Sequence, residues 1–260
     1  MTEAYIYDSV RTPRGKGRAD GSLHEVTAAR LSADLLNALH HRNGLNGPVI
    51  EDVIWGNATQ VMEQGGCLAR TAVLASDLDE RIPGLSINRF CASGLEAVNL
   101  AANQIQGGAG NAYIAGGVEM MSRVPLGSNM KDGSPMGESY TQHYQPTSQF
   151  MGAAMIAEEY QITRGDTDQF GLESQQKAIQ AWAEGRFDRE VATIEAPILN
   201  EKFEPTGEMR VVDRDEGLRE TTLESLAGLN AVPGQEIHTA GSSSQVSDGA
   251  AAVIMASGPA

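Results

Sequence analysis

Two cysteines in 260 residues, at positions 67 and 91, do not make a disulfide framework, and the Cys/His spacings of a zinc site are missing. No metal centre is expected, and a reducing, cytoplasmic setting is. The longest apolar runs fall far short of the roughly 18 residues a spanning helix needs, which excludes a membrane-embedded reading. The opening "MTEAYIYDSVRTP" goes directly into a strand pattern, without a basic or apolar leader region, so no secretory or organellar signal is expected. Basic residues are scarce: 19 Lys and Arg against 34 Asp and Glu, a net charge of −15 with histidine neutral. A nucleic-acid partner needs a basic face and is therefore excluded. An anionic substrate would have to rely on local cations. The candidates are "RTPRGKGR" (Arg11, Arg14, Lys16, Arg18) with Arg210, Arg214 and Arg219. For any one of these, a solvated loop charge is the simpler reading.

What is present is a soluble α/β composition: 41% hydrophobic residues, 29 glycines and only 5% aromatics. From residue 3 to about 120, strand and helix patterns alternate. Strands are expected over 4–10, 51–59, 84–90 and 112–119, and helices over 25–42, 66–76 and 92–106. Such alternation implies a mostly parallel sheet covered by helices. The stretch 121–150 is rich in Gly, Ser, Pro and Met and lacks periodicity; helices follow at 152–160 and 166–187, the latter capped by Asp166 or Thr167. "GAAAVIMAS" (249–257) reads as a final buried strand rejoining the first sheet. Residues 1–120 and 249–260 are thus expected to form one α/β domain, and 121–248 an insertion, functional because so long an irregular excursion rarely serves connection alone.

The helix expected at 92–106 is apolar nearly all round. Leu95, Val98, Ala102 and Ile105 line one side, alanines and Leu100 much of the rest, and Glu96 is its only charge. Either it lies between two layers, the second supplied from outside these strands, or it is an Ala-rich helix buried on one side.

Cys91 stands between the 84–90 strand and this helix. A thiol at a helix start meets unpaired N–H groups that favour the thiolate, although an inert buried cysteine is the simpler local reading. Cys67, also ahead of a helix, shows how little that rule discriminates. His40 and His41 suit the end of a helix. His143 and His238 pair with Cys91 in no sequence signature, and "FCASG" is not the hydrolase elbow G-x-S-x-G.

Taken as an ordered set, "INRFCASGLEAVNLAANQI", "AYIAGGVEMMSRVP", "FMGAAMIAEEY" and "HTAGSSSQVSDGAAAVIMAS" resemble the thiolase family, and "AYIYDSVRTPRGK" and "QGGCLARTAVLA" agree. The resemblance runs through essentially the whole chain. It implies an α/β thiolase-like half: a five-stranded, mostly parallel sheet with helices on both faces, plus an inserted, mainly helical and irregular loop domain that holds coenzyme A. It implies that Cys91, in a C-x-S turn with Ser93, accepts an acyl group from a 3-ketoacyl-CoA, with its own N–H in the oxyanion hole. It further places Met151 and Gly152 along the pantetheine, Ser244 on the pantetheine amide, Ala240 nearby and Arg219 near the adenine. Coenzyme A enters as substrate, no permanently bound cofactor is expected, and assembly as a homodimer or homotetramer is.

The family's C-terminal motifs N-E-A-F, G-H-P and C-x-G, which supply an asparagine-bound water, a base and an acid/base cysteine, do not occur in these 260 residues. The chain therefore resembles an N-terminal two-thirds, expected to bind coenzyme A and to acylate Cys91 with little turnover. Phe150, where biosynthetic members often carry histidine, leans toward degradation. The competing readings are a ketoacyl-synthase-like condensing enzyme, against which the 121–248 insertion counts, and a non-catalytic acyl-CoA-binding assembly subunit.

Overall fold

The computed structural model describes residues 2–133 and 136–258, so positions 134 and 135 of the irregular stretch, and 259 and 260 of the expected α/β domain, lie outside the described residues. In chain order the strands are β1 (Ala4–Arg11), β2 (Gly15–Lys16), β3 (Asp52–Gly56), β4 (Gly84–Ile87), β5 (Ala112–Met120), β6 (Ile194–Leu199), β7 (Pro205–Val212) and β8 (Ser247–Ser257). The helices are α1 (Ala28–Asn43), α2 (Leu68–Ala75), α3 (Ser93–Gln106), α4 (Gly137–His143), α5 (Gln149–Glu159), α6 (Arg164–Ala183) and α7 (Leu223–Ala227). They fall into two compact units. The first comprises residues up to 129, 188–216 and from 246 onward; the second comprises 130–187 and 217–245.

In the first unit five strands lie in the order β1-β8-β5-β3-β4, and two-residue β2 pairs with β8 off this path. β3 runs parallel to β4 and β5, whereas β8 is antiparallel to β5 and β1. The expected five-stranded, mostly parallel sheet is therefore present, with its last strand reversed. The register explains the reversal. Returning chain enters β8 opposite the carboxyl end of β5, pairing Asp248 with Met120, and can only run back along it.

Period-two patterning sorts the side chains between two faces. Val53, Trp55, Ile114, Val118, Ala252 and Ile254 point into one core with Leu31, Leu35, Leu36 and Leu39 of α1 and Ala69 and Val73 of α2. Ile54, Tyr113, Ala115 and Met255 point the other way, onto Ala97, Ala101 and Ile105 of α3. A polar tie crosses the first core: Trp55 Nε1 donates to Ser32 Oγ at 3.0 Å, and Ser32 donates to Ala28 O at 2.7 Å. Thr27 caps α1 through the Arg30 N–H, and Gly44 ends it in the left-handed conformation at φ 60°.

Within this chain α3 is buried on one side, against the sheet, which leaves its other side open to a second layer supplied from outside. The side it buries in this chain is Ser93, Ala97, Ala101 and Ile105, one residue every four, rather than the Leu95–Val98–Ala102–Ile105 stripe read from the sequence. Leu95 is 66% exposed on the other side. The stripe of small residues lets the helix sit close to the sheet. A Cβ added to Gly56 would lie 2.4 Å from the Ser93 carbonyl carbon.

The segment 121–248 is divided between the units. β6 and β7 pair as an antiparallel hairpin, and Ile194, Ala196 and Val212 join the α1-side core. Two of the basic cluster help to hold it: Arg11 reaches Glu190 at 2.7 Å and Asp215 at 2.9 Å, and Arg14 reaches Asp215 at 3.8 Å, whereas Lys16 pairs with Asp20 within its own loop. Arg11, Arg14 and Lys16 therefore serve internal ion pairs, a structural role that composition alone did not reveal. In the second unit α6 is capped by Thr163, which forms a capping box with Asp166, so the cap lies three or four residues before the expected Asp166 or Thr167.

Replacing Gly56 by alanine forces backbone against backbone, and urea unfolding is expected to show a loss of about 1–3 kcal/mol. Gly94→Ala, whose added Cβ meets nothing within 4 Å, is expected to be neutral or slightly stabilising in the same titration.

Candidate active site

Parallel strands β3, β4 and β5 end on the same edge of the sheet, the edge where open α/β sheets bind ligands. The turn bearing Cys91 springs from β4 there. Cys91 is exposed, and α3 starts two residues later at Ser93, with Ala92 at the cap position. The preceding residue, Phe90, has φ 49°, a left-handed conformation rare for an aromatic side chain. Ser93 is buried; its Oγ accepts the Arg89 N–H at 2.8 Å and donates to Phe90 O at 2.6 Å. Asn88 Oδ1 accepts the Phe90 N–H at 2.8 Å, and Asn88 Nδ2 donates to Ala58 O at 3.0 Å.

Behind the turn lies a polar network at the ends of β3 and β5. Glu119 Oε2 accepts from the Ala58 N–H at 2.9 Å and from Asn57 Nδ2 at 3.3 Å, and Glu119 Oε1 accepts from Gln64 Nε2 at 2.8 Å. Gln64 in turn accepts the Met120 N–H at 2.7 Å. In sequence, Glu119 signals only a tight strand end. Asn88 carries a recoverable signal, an Asx residue two positions before a turn residue.

Asp248, at the start of β8, is fully buried. Its Oδ1 accepts the Ser122 N–H at 2.8 Å, while its Oδ2 has no hydrogen-bond partner among the described residues. His24 Nδ1 lies 2.9 Å from Ser122 Oγ. Burial pushes the Asp248 carboxyl above its ordinary value; the Ser122 hydrogen bonds and His24 act against that push, and Glu216 adds to it.

The other sequence-derived candidates belong to the second unit. Ala240 and Ser244 are exposed on one turn, shaped by hydroxyls: Thr239 Oγ1 accepts the Gly241 N–H at 3.1 Å, and Ser243 Oγ donates to Thr239 O at 2.7 Å. This turn presses on α6, where a Cβ at Gly171 would lie 2.5 Å from Gly241 O. One helical turn further along α6, Gln175 Oε1 accepts the Arg219 N–H at 3.3 Å. The i, i+4 spacing of Gly171 and Gln175 puts the Arg219 segment and the Ala240–Ser244 turn along one side of α6. Met151 is exposed on α5, a helix in which only Ala157 is buried. Cys91 belongs to the first unit. His143 ends α4, and His238 follows α7 with its Nε2 buried and without a hydrogen-bond partner among the described residues. The described residues contain no group of three or more His, Cys, Asp or Glu able to hold a metal, and no helix long and apolar enough to cross a membrane.

The first unit thus presents an exposed cysteine on the carboxyl edge of a mixed α/β sheet, and the second unit is inserted in the sequence before the last strand. The thiolase N-terminal domain matches residues 4–258, and the chain belongs to that family. It is 40% identical to a 3-ketoacyl-CoA thiolase of Shewanella loihica over 98% of this chain, and 36% identical to the steroid 3-ketoacyl-CoA thiolase FadA6 of Mycobacterium tuberculosis over 99%. The crystal structure of human mitochondrial 3-ketoacyl-CoA thiolase superposes with a TM-score of 0.83 at 29% identity, covering 99% of this chain and 66% of that one. The chain spans 65% and 62% of the lengths of the two bacterial relatives.

The raised Asp248 carboxyl makes a pH prediction. It keeps its proton to higher pH in the native than in the unfolded state, so stability falls as pH rises from about the ordinary value of 3.8 through the raised native one. Asp248→Asn is expected to flatten that decline in urea titrations run at a series of pH values; identical slopes would refute it.

Proposed function

We propose that this chain carries the acyl-accepting cysteine and the coenzyme A-holding segment of an acyl-CoA C-acyltransferase that acts on 3-ketoacyl-CoA. The observation that carries the reading is an exposed thiol, Cys91, on the strand-to-helix turn of a thiolase N-terminal domain. The Cys91 thiolate attacks the 3-keto carbon, and the developing oxyanion takes the Cys91 N–H as one donor. The bond between C2 and C3 then breaks. Its electron pair stays on C2, which takes up the proton that Cys91 gave up, so acetyl-CoA leaves and the shortened acyl group remains on sulfur. A second coenzyme A thiol attacks the thioester, releases the shortened acyl-CoA and returns a proton to Cys91. Read backwards, the sequence is a Claisen condensation.

In this reading Met151 and Gly152 lie along the pantetheine, Ser244 hydrogen-bonds its amide, Ala240 packs beside it, and Arg219 meets the adenine end. Support comes from the exposure of Met151, Arg219, Ala240 and Ser244, and from the shared backing of the last three by α6. The step proposed for these 260 residues is acyl transfer to Cys91. Full turnover needs the base and second cysteine of the family's C-terminal motifs, contributed by further sequence or a second chain. Exposed Leu95 on α3 suits the helix layer that would bring them. Homodimeric or homotetrameric assembly belongs to the same proposal.

Intact-mass analysis after exposure to acetyl-CoA tests it. One acetyl group per chain is expected on the unsubstituted protein and on Cys67→Ser, and none on Cys91→Ser. No adduct at all, or an equal adduct in Cys91→Ser, overturns the assignment.

A further inference from the structure

Resting on the reading of Cys91 as acyl acceptor, we infer that Asn88 is a positioning residue: it holds Phe90 in the left-handed conformation that sets the aim of the Cys91 sulfur and N–H. Phe90 adopts φ 49° although it is not glycine, and the residue is 73% exposed, so packing of its side chain does not impose the turn. Hydrogen bonds grip its backbone from both ends. The Phe90 N–H goes to Asn88 Oδ1 at 2.8 Å, and Phe90 O receives the Ser93 N–H at 3.0 Å and the Ser93 hydroxyl at 2.6 Å.

The Asn88 amide has one workable orientation. Its oxygen faces an N–H donor and its nitrogen faces the Ala58 carbonyl, so a flip would set donor against donor and acceptor against acceptor. Ala58 is itself held through its N–H by Glu119 on β5. A chain of contacts thus runs from the sheet, through Glu119, Ala58 and Asn88, to the residue that precedes the nucleophile. Relaxation of Phe90 to negative φ would rotate the Phe90–Cys91 peptide and carry the sulfur and N–H away from a common target. Glycine at position 90 enters the left-handed region without steric cost and does not need the grip.

A double-mutant cycle in the full 260-residue chain tests this by the rate of acetyl transfer from acetyl-CoA to Cys91, read by intact mass. Asn88→Ala is expected to slow transfer about tenfold, the size of a lost left-handed preference. In the Phe90→Gly background the same substitution is expected to cost less than about threefold. Equal losses in both backgrounds, or no loss in either, overturn the inference. A second arm needs no transfer: the 13C shifts of Phe90, assigned by their disappearance in Phe90→Gly, carry the left-handed signature and lose it in Asn88→Ala. Their persistence in Asn88→Ala also overturns it. If the unsubstituted chain takes up no acetyl group, the acyl-acceptor reading fails, and the shifts still decide whether Asn88 sets the turn.

Discussion

Everything on the carboxyl edge of the sheet depends on how closely the first turn of α3 approaches β3. At Gly56 the strand has no side chain, and the Ser93 carbonyl occupies the space one would need. Dispersion attraction falls steeply with separation, so a contact of backbone on backbone holds the helix start far more rigidly than side chains with free rotamers would. The Cys91 turn is suspended between that contact and the end of β4. Its conformation is consequently a property of the sheet.

The polar groups around this edge follow from the same closeness. Where strands end, N–H and carbonyl groups lose their ladder partners and, once buried, must find others. Glu119, Gln64 and Asn57 meet that demand at the ends of β3 and β5, and Asn88 extends the network to the turn. Asp248 is the costly member, a buried carboxyl with one oxygen unpartnered among the described residues. The cations near the start of the chain meet a different need. Arg11 and Arg14 share Asp215 and tie the β6–β7 hairpin beside β1, so a strongly acidic chain uses scarce positive charge to fasten its own excursion.

The alternation of strands and helices, the reversed last strand excepted, was readable from periodicity, because burial on one face imposes a repeat of two or 3.6 residues on the local sequence. Element ends moved by one to four residues: α1 begins at Ala28, where Thr27 caps it, rather than at Glu25, and α6 ends at Ala183 rather than at 187. The hairpin of β6 and β7 escaped notice, since β7 is exposed along most of its length and an exposed strand has no hydrophobic repeat to read. Of the site, Cys91 and Ser93 were legible as a motif. Glu119 was not, because Asn57, Ala58 and Gln64 lie 55 to 62 residues away, and of Asn88 only the local Asx pattern is readable, its tie to Ala58 spanning 30 residues.

By itself the sequence determined the alternating strands and helices up to about residue 120, the helices at α5 and α6, the last strand, the family and the place of the cysteine ahead of a helix, all of which are written in short-range pattern and motif. Tertiary structure decided which side of α3 is buried, what Arg11 and Asp248 face, and the left-handed turn before Cys91. Each of those depends on atoms from distant parts of the chain meeting in one place, and only closure of the sheet brings them there.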